Sequence, residues 1–178
     1  MGLQIESGTG NAKQLHITDD NRADVSARST PRIAYVSKDN GDSYTWSHAY
    51  NYAAGDTILL LSNSSTAKKL YIHSISVGSD TATRFTIHFP DYPTLAGTVV
   101  IGTNTNRLSG NIAEAEAYGN ETGAAAQGVV LAEGMIGAGQ TATKQPDGTI
   151  ILGYHNCIAV DLVTIGAMGV VTISGYFE

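Results

Sequence analysis

Alternation with a period of two constrains this chain more than any other feature of its sequence. Across residues 83–89, Phe85, Ile87 and Phe89 fall on one face, with Arg84, Thr86 and His88 on the other. Successive side chains of a strand point to opposite sides, so this pattern specifies a strand with one buried face, as antiparallel sheets permit. Residues 157–163 repeat it, with Ile158, Val160 and Leu162 inward and Asp161 outward. Residues 170–177 do so again, setting Val171, Ile173 and Phe177 against Thr172, Ser174 and Tyr176. Further strands are expected at 57–61, 70–77, 98–102, 129–132 and 149–152. Within 70–77 the phase slips between Ile72 and Ile75, the mark of a bulge or of burial on both faces.

Turn-forming clusters separate these runs: Asn63-Ser64-Ser65, Gly78-Ser79-Asp80, Pro90 to Pro93, and Pro146-Asp147-Gly148. About eight strands at this spacing, without a long helical pattern, predict an all-β fold, an antiparallel β-sandwich or jelly roll. With 178 residues the chain suits one domain with an appended arm. The predicted organisation is an extended N-terminal arm with edge strands over 1–56, docking on neighbours, and a sandwich over 57–178.

The arm carries scattered apolar residues among polar ones: Leu3, Ile5, Leu15, Ile17, Val25, Ile33, Tyr35 and Val36. They are too sparse to build a core alone. Tyr44, Trp46, Tyr50 and Tyr52 form the densest aromatic patch and precede the first expected sandwich strand. Three uses fit such a patch: packing of the arm on the sandwich, an anchor at a subunit interface, or a platform for sugar rings. The interface candidates are Leu3, Ile5, Leu15, Ile17, Ile33, Tyr35, Tyr44, Trp46, Tyr50 and Tyr52. Residues 111–118, rich in Ala and Glu, favour helix by propensity, but Gly110 and Gly119 bracket only eight residues, so a short helix or an extended segment is expected. Residues 119–142, rich in Gly and Ala, read as a long surface loop with one strand inside it.

Charge and cysteine content exclude several classes. Charged residues make up 15% of the chain and its net charge is -6, so it lacks the clustered Lys and Arg that displace counterions from nucleic acid. No stretch reaches the ~18 apolar residues of a membrane-spanning helix, and no secretory signal pattern opens the chain. Cys157 stands alone, which leaves no intramolecular disulfide and no cysteine zinc cage. It lies in an apolar strand, where a thiol is inert.

No catalytic signature emerges. Gly8-Thr9-Gly10 and Gly137-Ala138-Gly139 lack the third glycine of a nucleotide-binding turn, and neither a phosphate loop nor a nucleophile elbow is present. His73 and His88, on strands that a hairpin could join, are possible cross-strand neighbours, but spacing supplies no third ligand for zinc. His16, His48 and His155 fall in the arm or in turns. Asp19-Asp20-Asn21 and Asp39-Asn40-Gly41-Asp42 miss the spacing of a calcium loop and read as turns. Glu114 with Glu116, and Glu121 with Glu133, are carboxylate pairs that would suit glycoside hydrolysis only at a defined separation; solvating the loop is the simpler use. Asn63-Ser64-Ser65 and Asn120-Glu121-Thr122 match the glycosylation pattern and read as turns. No cofactor, metal or catalytic residue is expected.

Several longer runs resemble the virion structural proteins of tailed bacteriophages. They are Gly41-Asp42-Ser43-Tyr44-Thr45-Trp46, then Asp56-Thr57-Ile58-Leu59-Leu60-Leu61-Ser62-Asn63, then Lys69-Leu70-Tyr71-Ile72-His73-Ser74-Ile75-Ser76-Val77. Asp147-Gly148-Thr149-Ile150-Ile151-Leu152-Gly153, Ala159-Val160-Asp161-Leu162 and Val171-Thr172-Ile173-Ser174-Gly175-Tyr176 continue the likeness, and Ile17-Thr18-Asp19-Asp20-Asn21-Arg22 looks like their N-terminal arm. The resemblance implies a non-enzymatic protein of the virion, made in the host cytoplasm. It would be a decoration or cement protein on the head exterior, a homotrimer bound to the major capsid protein or other virion proteins. The alternative is a tail or fibre component whose sandwich binds a receptor glycan. Neither role involves nucleic acid or membrane.

Overall fold

The computed structural model describes residues 4–6, 12–14, 31–53, 56–92, 95–122 and 128–178. The chain divides into two units, Met1–Pro31 and Arg32–Glu178. In the first, β1 (Gln4–Glu6) pairs antiparallel with β2 (Ala12–Gln14). Leu3, Leu15 and Ile17 lie outside the described residues, as does the Asp19-Asp20-Asn21 cluster, and Ile5 is described only as a backbone position of β1.

The second unit opens with helix α1 (Arg32–Asp39), then β3 (Ser43–Asn51), β4 (Thr57–Asn63), β5 (Leu70–Ser79), β6 (Thr83–Phe89), β7 (Thr98–Val99) and β8 (Thr103–Asn104). It continues with β9 (Ala115–Glu121), β10 (Val129–Ile136), β11 (Gln140–Lys144), β12 (Ile150–Leu152), β13 (Cys157–Leu162) and β14 (Met168–Phe177). Two antiparallel sheets result. One has the order β10-β6-β13-β4-β9-β7, the other β11-β5-β14-β3-β8, with β12 beside β5.

Four nested strand pairs carry the topology. β3 pairs with β14, β4 with β13, β5 with β11 and β6 with β10, while β14 also pairs with β5 and β13 with β6. First with last, second with second-last, and so inward, is the order of an antiparallel ribbon wrapped into two sheets, the jelly roll. The all-β sandwich expected from the sequence is the fold.

Between the sheets lies one apolar core that includes Trp46, Leu59, Leu61, Ile72, Phe85, Ile87, Ile158, Val160, Val171 and Ile173. The inward phases expected for β6, β13 and β14 hold at these positions. In β5, Ser74 faces Ser174 while Ile72 faces Gly175, so His73 is the extra residue of a bulge, where the phase slip placed it.

Three expectations about the elements are corrected, and one left open, a short helix or an extended segment at 111–118, is decided for strand. The sandwich does not begin at 57: β3, assigned to the arm, is an integral strand of the second sheet, and Tyr44 and Trp46 are buried in the core. Residues 32–39 form a helix with Val36 buried, ended where the amides of Asn40 and Gly41 both donate to the Val36 carbonyl and Gly41 takes a φ of +67°. Residues 115–121 are extended despite their Ala and Glu, because six registered positions along β4 outweigh propensity. Residues 119–142 are no loop around a single strand. They hold the end of β9, the whole of β10 and the start of β11.

The sheet containing β4 is buried on both faces at its centre, where every residue of β4 and β13 is buried. Asp161 is therefore enclosed, contrary to its expected outward exposure. A carboxylate in such a place needs a partner, and the His88 Nε2 lies 2.8 Å from its Oδ2.

Candidate functional site

The interface candidates separate once placed on the fold. Tyr44 and Trp46 are fully buried within their own unit, and Tyr52 is buried as well, so none of the three offers a surface to a partner. Alternation turns Tyr44, Trp46, His48 and Tyr50 toward the opposite sheet. Tyr50 is half-buried, stacks on His48 and donates its hydroxyl to Asp56 Oδ2 at 3.3 Å. On α1, Ile33 is partly exposed, while Tyr35 is exposed with the Arg32 guanidinium over its ring.

Apolar surface is concentrated elsewhere, on residues 98–112, which close one side of the sandwich by passing from β7 at the edge of one sheet to β8 at the edge of the other. Ile101 is 81% exposed, Leu108 99% and Ile112 83%. These side chains do not hang from a slack loop. Asn104 Nδ2 donates to the carbonyls of Gly41 and Asn111, and its Oδ1 accepts the amide of Asn106. Asn106 Nδ2 donates to the Ser37 carbonyl and its Oδ1 accepts the amide of Leu108. Asn111 Nδ2 reaches Asp42 Oδ1 at 2.8 Å and the Asn40 carbonyl at 3.0 Å. Three asparagines thus fasten the segment to the end of α1 and hold its apolar groups in water. Sequence reasoning passed over them, although Asn spaced between apolar residues is a turn signal.

The sheet edges differ in a second respect. β7 and β8 are two residues long, and β11 is polar with Lys144 at its end, all devices that blunt an edge. β10 has eight residues, and Val129, Val130, Leu131 and Met135 are exposed on it. Among the described residues no strand pairs with its outer side. Leu131 is the extra residue of a bulge between Val130 and Ala132.

Several titratable groups hold the fold together. His73 and His88 are not cross-strand neighbours, because β5 and β6 belong to different sheets; His73 instead lies 3.3 Å from Asp147. Among the described residues, no group of three or more His, Cys, Asp or Glu could hold a metal ion. Glu121 does not solvate a loop. It is fully buried and accepts the amides of Ala96 at 2.8 Å and Gly97 at 2.7 Å. Glu116 accepts the Tyr92 hydroxyl, and Glu133 lies 3.9 Å from Arg84.

At the opposite end of β4, Glu114 accepts from Ser65 Oγ at 2.6 Å and from Lys68, and these bonds hold its carboxyl below the ordinary range. Lys68 also bridges to Asp42 at 3.0 Å, and its two carboxylate partners push its ammonium pKa up. Cys157 is buried in β13, and burial pushes its thiol pKa up, away from the reactive thiolate. No helix among the described residues is long and apolar enough to cross a membrane.

No protein-family model, curated protein or solved structure matches this chain.

Proposed function

We propose that this protein is a non-enzymatic structural protein of a phage virion, a decoration or cement protein that binds and stabilises the head shell from outside. The observation that carries the reading is the asparagine-fastened segment 98–112. Apolar side chains held almost wholly in water have no use in folding this unit, and Val99, Ile101 and Ile112, which line one shallow groove, are apolar groups gathered where another protein would cover them. Fastening them beforehand lowers the ordering cost of association. The apolar edge of β10 adds a strand-addition site, where an arm from a neighbouring virion protein gains main-chain hydrogen bonds. Residues 1–30 of this chain play the matching part on its neighbours. The jelly roll is a fold of viral capsid proteins and of lectins, which supports the role by analogy alone. The homotrimer and the capsid partner rest on the resemblance of the sequence runs.

Mixing the purified protein with undecorated heads and imaging the particles by cryo-electron microscopy tests this. Regular density on the shell is the expected result, with occupancy lost in the double variant Leu108→Ser, Ile112→Ser at unchanged thermal stability. Loss of decoration on deleting residues 1–30 would locate the arm's part. Bare heads with the unaltered protein would overturn the proposal.

A further inference from the structure

A cleft of about 360 Å³ opens where β6 ends, between residues 89–92 and the turn that joins β12 to β13. Phe89, Tyr92 and Ile151 give it apolar surface, and Asp91, His155 and Asn156 line it with polar groups. Its wall is an aromatic stack. The Tyr92 ring lies 4.2 Å from the His155 ring at 12°, and the Tyr154 ring lies 3.8 Å from His155 at 23°. All three side chains are at the surface, Tyr92 39% and Tyr154 51% exposed. The stack therefore adds little to the core.

The backbone beneath it is constrained at a cost. His155 has a φ of +58°, the left-handed region that side chains other than glycine seldom occupy. Four hydrogen bonds hold it there. Its amide donates to the Asn63 carbonyl at 2.8 Å, and the Asn63 amide donates to the Asn156 carbonyl at 3.2 Å. The Asn156 amide closes the turn on the Gly153 carbonyl, while Asn156 Oδ1 accepts the Gly153 amide at 3.1 Å. Tyr92 is oriented too: its hydroxyl donates to Glu116 Oε2 at 2.5 Å, which with partial burial pushes the phenol up to about 12, so the ring stays neutral. Strain held in place by surrounding structure, here placing a ring between two surface tyrosines, is a feature of sites.

The chemistry of the lining selects a ligand class. Aromatic and aliphatic surface beside acceptors and donors fits a small ring with an apolar face and a polar rim. Asp91 lines the cleft, Glu116 lies under its wall, and the chain's net charge is -6, so phosphates and other anions are repelled. We propose that this cleft binds one ring of an uncharged saccharide, packed against the Tyr92 ring that His155 backs, with its hydroxyls on Asp91, His155 and Asn156. The site does not depend on the assembly role, since shell binding tests one and saccharide binding by the isolated protein tests the other.

Saturation-transfer NMR on the full chain provides the test, with glucose, galactose, mannose, N-acetylglucosamine and their disaccharides as probes and glucose 6-phosphate as the anionic control. Probes at about 10 mM exceed the ~1 mM dissociation constant of a weak single-ring contact. Transfer to at least one neutral sugar is expected, with none to the phosphate. His155→Gly removes the ring at a position whose φ suits glycine, and Asp91→Ala removes a rim acceptor. Each should weaken binding about tenfold, the order of a lost aromatic or polar contact. His155→Asn, which also tolerates this φ, stands in if the glycine variant is unfolded by circular dichroism. Absence of transfer to every neutral sugar, transfer confined to the phosphate, or equal transfer in the folded variants would overturn the proposal.

Discussion

Asn63 offers the sharpest test of how this fold is held at the end of β4. Its side chain is fully buried and completely engaged. Nδ2 donates to the carbonyls of Lys68 and Leu152, each at 2.9 Å, and Oδ1 accepts the Ser65 amide at 2.9 Å. One side chain thus ties the turn after β4 to the end of β12, while its backbone holds the His155 turn. Asn63→Ala strands two groups whose bonds are buried, the Leu152 carbonyl and the Ser65 amide, at ~1–3 kcal/mol each, or about 2–6 kcal/mol together. The Lys68 carbonyl is nearer the surface and adds little.

Urea unfolding at matched m-values measures the loss. Asn63→Asp sharpens the argument, because it keeps the acceptor for Ser65 but sets a carboxylate against two carbonyl oxygens. Burial and those dipoles raise the folded-state pKa of the new acid above its unfolded value of ~3.9. The folded state then binds more protons, so this variant gains stability as pH falls from about 7 toward 4, and its deficit against the parent shrinks. A loss below ~1 kcal/mol in Asn63→Ala, or a pH-independent deficit in Asn63→Asp, would refute the reasoning.

Two further outcomes follow from the core and the surface network. Phe85→Ala should cost about 3–5 kcal/mol in the same assay, since Phe85 is buried between the sheets; Gly134→Ala across the pair should cost about 1–3 kcal/mol, because its Cβ would come 2.5 Å from the Phe85 ring. Glu114, whose folded pKa is depressed, contributes stability above its unfolded value near 4.5 and loses it as pH falls through the folded pKa. The gap between the parent and Glu114→Gln should therefore be present at pH 7, close in acid, and narrow in 1 M salt, because the group is half exposed.

Legibility in the sequence followed the physics of each element. β6 and β14 were readable because one face is apolar and the other mostly polar, β13 because Ile158, Val160 and Leu162 alternate with smaller or polar residues although both its faces are buried, and the His73 bulge was readable because it breaks that phase. β3 was overlooked although Tyr44, Trp46, His48 and Tyr50 alternate cleanly with Thr45, Ser47 and Ala49. Aromatic residues beside an apolar-poor arm looked like anchors, when they were core. β9 was ambiguous because Ala and Glu favour helix, and only pairing with β4 decides for strand. Its Gly119 shows why: a Cβ there would fall 2.1 Å from the His48 ring of the facing sheet.

The candidate surfaces were the least legible part. Nothing local tells Leu108, wholly exposed, from Leu70, wholly buried. Nor does spacing bring Tyr92 to Tyr154 and His155, more than sixty residues away in a turn whose left-handed φ is held by Asn63. Short-range alternation and turn chemistry are properties of neighbouring residues, so the sequence by itself determined that the chain forms an antiparallel β-sandwich and where most of its strands lie. Which apolar groups stay in water, which carboxylates are enclosed and which rings meet depend on how the wrapped ribbon closes. Those contacts join residues far apart in the chain, and only the tertiary structure decided them.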